Sequence, residues 1–300
     1  MQLSFMIDNT VFRTTSTKVL QKNIVYEPKN SLLDNFLYLT DDNYFILENN
    51  TYATNVDNVI NLPNNHIGLY NYHFLMTHNI EKHINDTISA GMHIPILFII
   101  DQVKAYKKED KHIIQQKLNN HTKLYLNENS FQSFKSNHKS ILTKIGIPVE
   151  HFQSSSDFEQ RKDIAIFDYG SVTQQLKFAL EQNGMSCTLI NTKINLETLN
   201  YLFNRHKICL DISDNYLVNL MSALCCGCRT ITTKNNPVIS PFINHIDLND
   251  NIISTIKELS SSKPDVKEQV EYVKEKYPFE PFKQTLKQII NDISHEVYTK

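Results

Sequence analysis

The stretch from residue 208 to residue 233 sets the strongest constraint on how this chain can fold. Ile208–Ile212 looks like a buried strand because most of its residues are apolar, and Arg229–Thr233 is interpreted as a second strand. Between them, apolar residues recur at the spacing of one helix face, and Gly227 can end that helix in a left-handed conformation. The order strand, polar turn, helix, strand predicts one unit of a parallel sheet. The helix positions are Leu217, Val218, Leu220, Met221 and Leu224.

The polar turn of this unit carries the first functional hint. Asp214 and Asn215 can cap the helix start, because short polar side chains accept hydrogen bonds from its free N–H groups. In an open parallel sheet, the turn after a strand lies at the carboxyl edge, where ligands usually bind. A helix start also favours a phosphate group. We therefore expect Asp214 to contact a ligand, and the alternative is a plain helix cap.

Predicted strands and helices alternate on both sides of a polar run, Gln153–Lys162, which is interpreted as a linker. Residues 1–65 indicate short strands, and the charged tail from Lys263 indicates helix interrupted at Pro278 and Pro281. The pattern predicts an α/β chain of two Rossmann-like domains with parallel sheets and a C-terminal helical tail. The predicted strands are Ile67–Tyr72, Ile94–Ile100, Lys123–Leu126, Ile145–Val149, Asp163–Asp168 and Cys187–Asn191, and the helices are Phe74–Ala90, Lys111–Leu118, Asn129–Asn137, Thr173–Asn183, Leu196–Arg205 and Asn251–Ser260.

Composition excludes several classes of protein. With 41% hydrophobic residues and a net charge of −2, the 300-residue chain can form packed cores and is not a basic nucleic-acid coat. The first glycine is Gly68, so a Gly-rich loop after the first strand is absent. This excludes the usual dinucleotide fingerprint and the P-loop, and it disfavours a Rossmann methyltransferase. We expect no signal peptide and no membrane span.

The five cysteines are odd in number and fit a reducing cytosol. Cys225, Cys226 and Cys228 lie close together, but a structural zinc site would need a second pair of ligands at a distance. The remaining two, Cys187 and Cys209, lie in apolar strand-like runs. The cluster is therefore interpreted as small buried residues in a helix that packs closely on a sheet, and no metal site is expected.

Several motifs resemble those of glycosyltransferases with the GT-B architecture, close in pattern to the GT4-like group. Gly146–Phe152 resembles the hinge motif N-G-[IV]-[DP]-x-x-x-F. Asp214–Thr233 resembles the donor motif E-x-F-G-L-x-x-x-E-A-M-A-x-G-x-P-V-[IV]. Ile67–Gln102 is similar to the segment that lines the acceptor cleft, and Tyr277–Ile290 to the closing helices. The resemblance implies an acceptor domain at 1–150, a nucleotide-sugar donor domain at 151–280 and a helix at 281–300 that crosses back to the first domain.

The same resemblance implies a metal-independent, hexosyltransferase-like enzyme. It would transfer a sugar from a UDP- or GDP-linked donor to an acceptor hydroxyl in a cleft between the domains, with no further cofactor. The implied donor-binding residues are Asp214, Asn215, Tyr216, Leu217, Ser222, Arg229 and Lys177, and the candidates for a catalytic or acceptor role are His73 and Asp101. Plainer alternatives are a core serine at 222, solvated cations at 229 and 177, and turn or cap residues at 73 and 101.

The donor motif also departs from the family pattern. Its two glutamates fall on Asp214 and Ser222, so the carboxylate that holds the donor ribose in the family is missing. The cations that neutralise the diphosphate have no clear match near Asp168–Ser171. An alternative function is therefore a catalytically inactive GT-B-like binding or scaffold module.

Residues 102–145 carry nine lysines against three acidic residues in a chain close to neutral. The plainer interpretation is solvated helix faces, and the alternative is an acidic acceptor such as a lipid phosphate, an anionic membrane surface or DNA. The Asn-, Lys- and Ile-rich composition is typical of an AT-rich genome, which makes a viral enzyme acting on DNA bases a minority option. We expect a cytoplasmic protein, in the host cytoplasm if viral, either free or peripheral to a membrane.

Overall fold

The computed structural model describes short strands before residue 101 and, after it, residues 115–116, 119, 121–135, 139–190, 196–212, 217–236, 238–247 and 252–298. Two strands near the start, β1 (Phe5–Ile7) and β2 (Thr10–Phe12), pair as an antiparallel hairpin. The next strands form a seven-stranded parallel sheet. They are β3 (Ile24–Glu27), β4 (Tyr44–Ile46), β5 (Ile60–Asn61), β6 (Phe74–Thr77), β7 (Ile96–Ile100), β8 (Thr122–Tyr125) and β9 (Ser140–Leu142), in the order β5-β4-β3-β6-β7-β8-β9.

The second sheet has five parallel strands. They are β10 (Lys162–Phe167), β11 (Cys187–Ile190), β12 (His206–Asp211), β13 (Arg229–Thr233) and β14 (Ile243–Ile246), in the order β11-β10-β12-β13-β14. The predicted parallel sheets are therefore confirmed, while the domain boundaries at residues 150 and 280 stay predictions. The described helices are α1 (Glu128–Phe134), α2 (Ser171–Gln182), α3 (Leu196–Arg205), α4 (Leu217–Cys225), α5 (Ile252–Ser261), α6 (Val266–Lys276) and α7 (Phe279–Tyr298).

The second sheet is buried on both faces, and its strands show why. In β10, Ile164 and Ile166 enter one apolar cluster, whereas Ala165 and Phe167 enter the other. Side chains alternate between the faces of a strand, so a continuous apolar run serves a sheet that is covered on both sides. This is the pattern from which the strands of the second half were predicted, and the positions of β10 to β13 are confirmed to within two residues.

Two predictions in the first half and one in the C-terminal tail were wrong. A strand, not a helix, begins at Phe74. The last strand of the first sheet is β9, which ends at Leu142, and the predicted strand Ile145–Val149 forms one isolated bridge, Ile147 to Pro278. The predicted interruption at Pro281 is absent because this proline occupies the first turn of α7, where no N–H partner is lost. Residues 67–72 and most of the predicted helix Lys111–Leu118 lie outside the described residues.

The predicted linker is a fixed part of the second half. Its last arginine, Arg161, is buried, and Phe158 is a core residue within a short 3-10 turn. The segment is pinned to the end of α3, where the side chain of Asn204 accepts from the N–H of Ser155 at 2.7 Å and donates to the carbonyl of Gln153 at 2.8 Å. The run is therefore held to the second half by hydrogen bonds of its backbone and by the buried Arg161.

Two segments that are far apart in the sequence lie side by side. The N–H of Ile147 donates to the carbonyl of Tyr277 at 3.0 Å, so residues after the first sheet run beside the turn between α6 and α7. Helix α7 then reaches back to the first sheet, where Asp292 lies 3.5 Å from the Nζ of Lys139. Its apolar face joins the core cluster that also contains Leu97 and Leu124. The predicted C-terminal helix is thus confirmed. No helix within the described ranges is both long and apolar enough to span a membrane.

Candidate functional site

The second sheet has a topological switch point between β10 and β12. From β10 the chain moves to β11 on one side, and it then returns to β12 on the other side before continuing outward to β13 and β14. Crevices that hold ligands in open parallel sheets lie at such a reversal, outside the carboxyl ends of the two central strands. Here those ends are Phe167 and Asp211. The turns that follow them therefore define the candidate site.

The turn after β10 leads into α2 with an open helix start. Gly170 precedes the first helical residue with φ +88° and ψ −141°, and no side chain caps the helix there. A Cβ placed on Gly170 would meet no atom of the described residues within 4 Å, so within that part of the chain the space beside this glycine is open. The first N–H groups of a helix carry partial positive charge and bind anions. This turn can therefore receive a phosphate group.

Asp168 organises this turn. Its Oδ1 accepts from the N–H of Gly170 at 2.9 Å and from the hydroxyl of Thr173 at 2.8 Å. The Gly170 N–H and the Thr173 hydroxyl lower the pKa of Asp168 below its ordinary value, so the carboxylate is ionised at neutral pH. Because Asp168 adds negative charge beside the helix start, a bound diphosphate needs a positive group as well.

The carboxylate of Asp211 lies at the end of β12 and is fully buried. Its Oδ1 accepts from the phenol of Tyr169 at 3.0 Å, and its Oδ2 accepts from the side-chain amide of Asn219 at 2.7 Å. Its backbone carbonyl accepts from the hydroxyl of Thr232 at 2.8 Å. Asp211 thus joins the turn after β10, the start of α4 and the neighbouring strand β13. Sequence reasoning missed it because it reads as the last residue of an apolar strand.

Lys234 supplies a cation at the same edge. It follows β13 directly, its residue is exposed, and its N–H donates to the carbonyl of Ile246 at 2.9 Å. Sequence reasoning missed this lysine, although its position just after a predicted strand could have indicated it. Lys234 is therefore a candidate to offset the charge of a bound phosphate.

Comparison with known proteins supports the fold. No protein-family model matches the chain, and no curated protein matches it. Among solved structures, AviGT4, a glycosyltransferase involved in avilamycin A biosynthesis, aligns with 91% of this chain and 98% of its own, with a TM-score of 0.51 and 8% identity. The chain has the GT-B fold.

Two further GT-B structures resemble it less closely. S. aureus TarM has a TM-score of 0.48 and 10% identity over 76% of this chain, which spans 55% of TarM. The wall teichoic acid polymerase TagF has a TM-score of 0.48 and 10% identity over 92% of this chain and 89% of its own.

The structure of the GT-B chain separates the predicted donor residues. Asp214, Asn215 and Tyr216 lie outside the described residues, between the end of β12 and the start of α4. Leu217 is the half-buried first residue of α4, next to that segment. Ser222 is fully buried in the middle of α4, and its hydroxyl has no hydrogen-bond partner among the residues that the structure describes. An enclosed side chain cannot reach a ribose, so its predicted contact with the donor has no structural support.

The two predicted cations lie away from the switch point. Arg229 is the first residue of β13, so it lies at the amino edge of the sheet, and its guanidinium donates to the carbonyls of Ser262 and Lys263 at 3.1 and 3.3 Å. Lys177 lies past the middle of α2 and pairs with Glu181 at 3.5 Å, near the far end of that helix. Neither residue is retained in the candidate site.

The predicted catalytic residues, His73 and Asp101, lie outside the described residues. His73 directly precedes β6 in the sequence, at the point where a helix was predicted to begin. Asp101 directly follows β7 in the sequence, as predicted. Their roles stay predictions.

The cysteine cluster forms part of the core. Cys225, Cys226 and Cys228 are fully buried, as predicted, and burial raises the pKa of each thiol above its ordinary value. Cys226 donates to the amide oxygen of Asn200 at 3.1 Å. Across the described part of the chain, no three His, Cys, Asp or Glu residues are grouped so as to hold a metal ion.

Ser222→Ala is expected to raise the free energy of unfolding by about 1 kcal/mol, because it removes a buried hydroxyl without a partner and adds a better helix former. Urea unfolding measures the change. Thr230→Val is the matched control: this buried hydroxyl donates to the carbonyl of Phe242 at 3.0 Å, so its loss should cost about 1 kcal/mol. Destabilisation by Ser222→Ala would show that the hydroxyl has a partner.

Proposed function

We propose that the chain is a glycosyltransferase that binds a nucleotide-sugar donor at the switch point of its second sheet. The observation that carries the proposal is the open, uncapped start of α2 beside Gly170, at the edge where Phe167 and Asp211 end the two central strands. The GT-B fold shared with a glycosyltransferase over most of both chains supports it. The donor would be UDP- or GDP-linked, and the acceptor is a hydroxyl group.

In this proposal, each part of the candidate site has one role. Sugar transfer from a nucleotide diphosphate needs fixed dipoles or cations where negative charge develops on the leaving group. The N–H groups at the start of α2 would face one phosphate, and Lys234 would offset its charge without a metal ion. Asp214, in the segment after β12, remains a proposed contact for the donor. A cytoplasmic location and a basic surface for an acidic acceptor belong to the same proposal.

A binding module without catalysis is the second candidate. It is favoured by one observation, the enclosed Ser222 at the position where the family pattern has a ribose-binding glutamate. Such a module would bind no nucleotide diphosphate at the switch point. Nucleotide binding therefore discriminates between the two candidates.

Thermal unfolding with UDP, GDP, UDP-glucose and GDP-mannose tests the proposal. A ligand that binds the native state stabilises it by RT ln(1 + [L]/Kd), about 2.7 kcal/mol at a hundredfold excess over Kd. We expect at least one of these compounds to raise the melting temperature. If none of the four raises it at millimolar concentration, the enzyme is rejected in favour of the binding module.

A pair of glycine variants locates the binding site. Gly170→Ala and Gly184→Ala stand at opposite ends of α2, both at positive φ, and an added Cβ meets nothing within 4 Å at either position. Both should therefore lose stability through backbone strain. Gly170→Ala should also weaken nucleotide affinity about tenfold, because it moves the turn that faces the phosphate. Equal nucleotide affinities of the two variants, measured by calorimetry, would place the nucleotide elsewhere.

A further inference from the structure

We propose that Asp211 is a positioning residue of the donor site, which acts through Tyr169 and Asn219. The proposal rests on the proposed function. Asp211 holds the turn after β10 and the first turn of α4 in a fixed relation, and these are the two segments that flank the switch point. It would touch neither the sugar nor the phosphate.

The burial of this carboxylate argues for a geometric role. Ile208 and Leu210, on the same strand, are fully buried, and an apolar residue at the strand end would avoid the cost of burying a carboxyl group. Stability alone therefore does not account for Asp211. Its two side-chain oxygens instead receive donors from two different segments of the chain.

Each donor fixes a part of the site. Tyr169 lies between Asp168 and Gly170, so anchoring its phenol fixes the turn that opens the start of α2. Asn219 is the third residue of α4, and the hydrogen bond from its side-chain amide to Asp211 anchors the start of that helix. Loss of either bond leaves the fold in place and lets one wall of the site move.

A swap of the hydrogen-bond pair tests the proposal. Asn219→Asp places two carboxylates where the amide and the carboxylate now lie 2.7 Å apart, and we expect it to weaken UDP or GDP binding at least about tenfold. Adding Asp211→Asn restores one amide and one carboxylate with their positions exchanged. The double variant should bind within about threefold of the wild type. Failure of this rescue, in a double variant as stable as the wild type, would overturn the proposal.

A more conservative variant and a control variant distinguish a positioning role of Asp211 from a purely structural role. Tyr169→Phe keeps the ring and loses the bond to Asp211, and we expect about a fivefold rise in Kd. Ser156→Ala is the control, since it breaks a hydrogen bond of 3.0 Å to the Nε of Arg161 outside the site and should leave Kd unchanged. Calorimetry is done at a temperature where every variant is folded. A Kd for Tyr169→Phe equal to that of Ser156→Ala overturns the proposal, whereas a wild type that binds neither UDP nor GDP overturns the proposed function itself.

Discussion

Replacing Arg161 with methionine is expected to lower the free energy of unfolding by on the order of 4 kcal/mol. Arg161 is 7% exposed, and its guanidinium donates to the carbonyls of Cys226, Gly227 and Ser156 at 2.9, 3.3 and 3.1 Å. Methionine fills a similar volume but has no donors. Each buried carbonyl left without a partner costs about 1–3 kcal/mol, and two serine hydroxyls also lose their bonds to the guanidinium.

Arg229→Met is the matched control for this prediction. Arg229 also donates to two backbone carbonyls near the end of a helix, but its bonds are exposed and water can replace the guanidinium. Arg229→Met should lower the free energy of unfolding by less than about 1 kcal/mol. The loss for Arg161→Lys should lie between those for Arg161→Met and Arg229→Met, because one ammonium group reaches fewer of the acceptors. Urea unfolding measures all three, and equal losses for Arg161→Met and Arg229→Met would show that the buried network contributes nothing.

The position of Arg161 shows where sequence reasoning stops. The run Gln153–Lys162 is polar, and polar runs between two alternating series usually are linkers. Its partners, Asn204 and the end of α4 near Cys226, lie about 50 and 65 residues further along the chain. No local pattern records such a pairing, since the acceptors are mostly backbone carbonyls. Buried hydrogen-bond networks between distant segments therefore had to come from the structure.

The fold could be predicted from the sequence more fully than these hydrogen-bond networks. In the second half, α3 (Leu196–Arg205) and β13 (Arg229–Thr233) were predicted to the residue, α3 from its helical apolar spacing and β13 from its place after Gly227. In the first half, Phe74–Thr77 is four residues long, and a run this short fits a helix or a strand equally well.

The candidate site was predicted in part. The carboxyl edge of the second sheet followed from the strand, turn and helix order, because parallel strands place those turns together. The individual residues did not follow. Arg229 begins its strand and so lies at the opposite edge, while Lys234 directly follows the same strand at its carboxyl end. The buried bond from Tyr169 to Asp211 joins residues 42 positions apart and has no sequence signature.

Gly146→Ala is expected to destabilise the chain by about 3 kcal/mol. A Cβ at this position would lie 2.6 Å from the Cα of Phe279 and 2.7 Å from the carbonyl oxygen of Pro278. Both are backbone atoms, so no rotamer change relieves the contact. The start of α7 must move away from the chain that leaves the first sheet, which would break the hydrogen bond from Ile147 to Tyr277.

Gly184→Ala is the control that distinguishes the cost of the steric clash at Gly146 from the cost of replacing a glycine where there is no clash. Gly184 has φ +80° and open space around an added Cβ, so its replacement costs only backbone strain, about 1 kcal/mol. Unfolding in urea should therefore rank Gly146→Ala well below Gly184→Ala. The reverse ranking would mean that the two passages of the chain at Ile147 and Pro278 are not tightly packed. The first of these segments connects the two sheets in the sequence, and the second connects α6 to α7. The ranking therefore measures how tightly the two segments pack on each other.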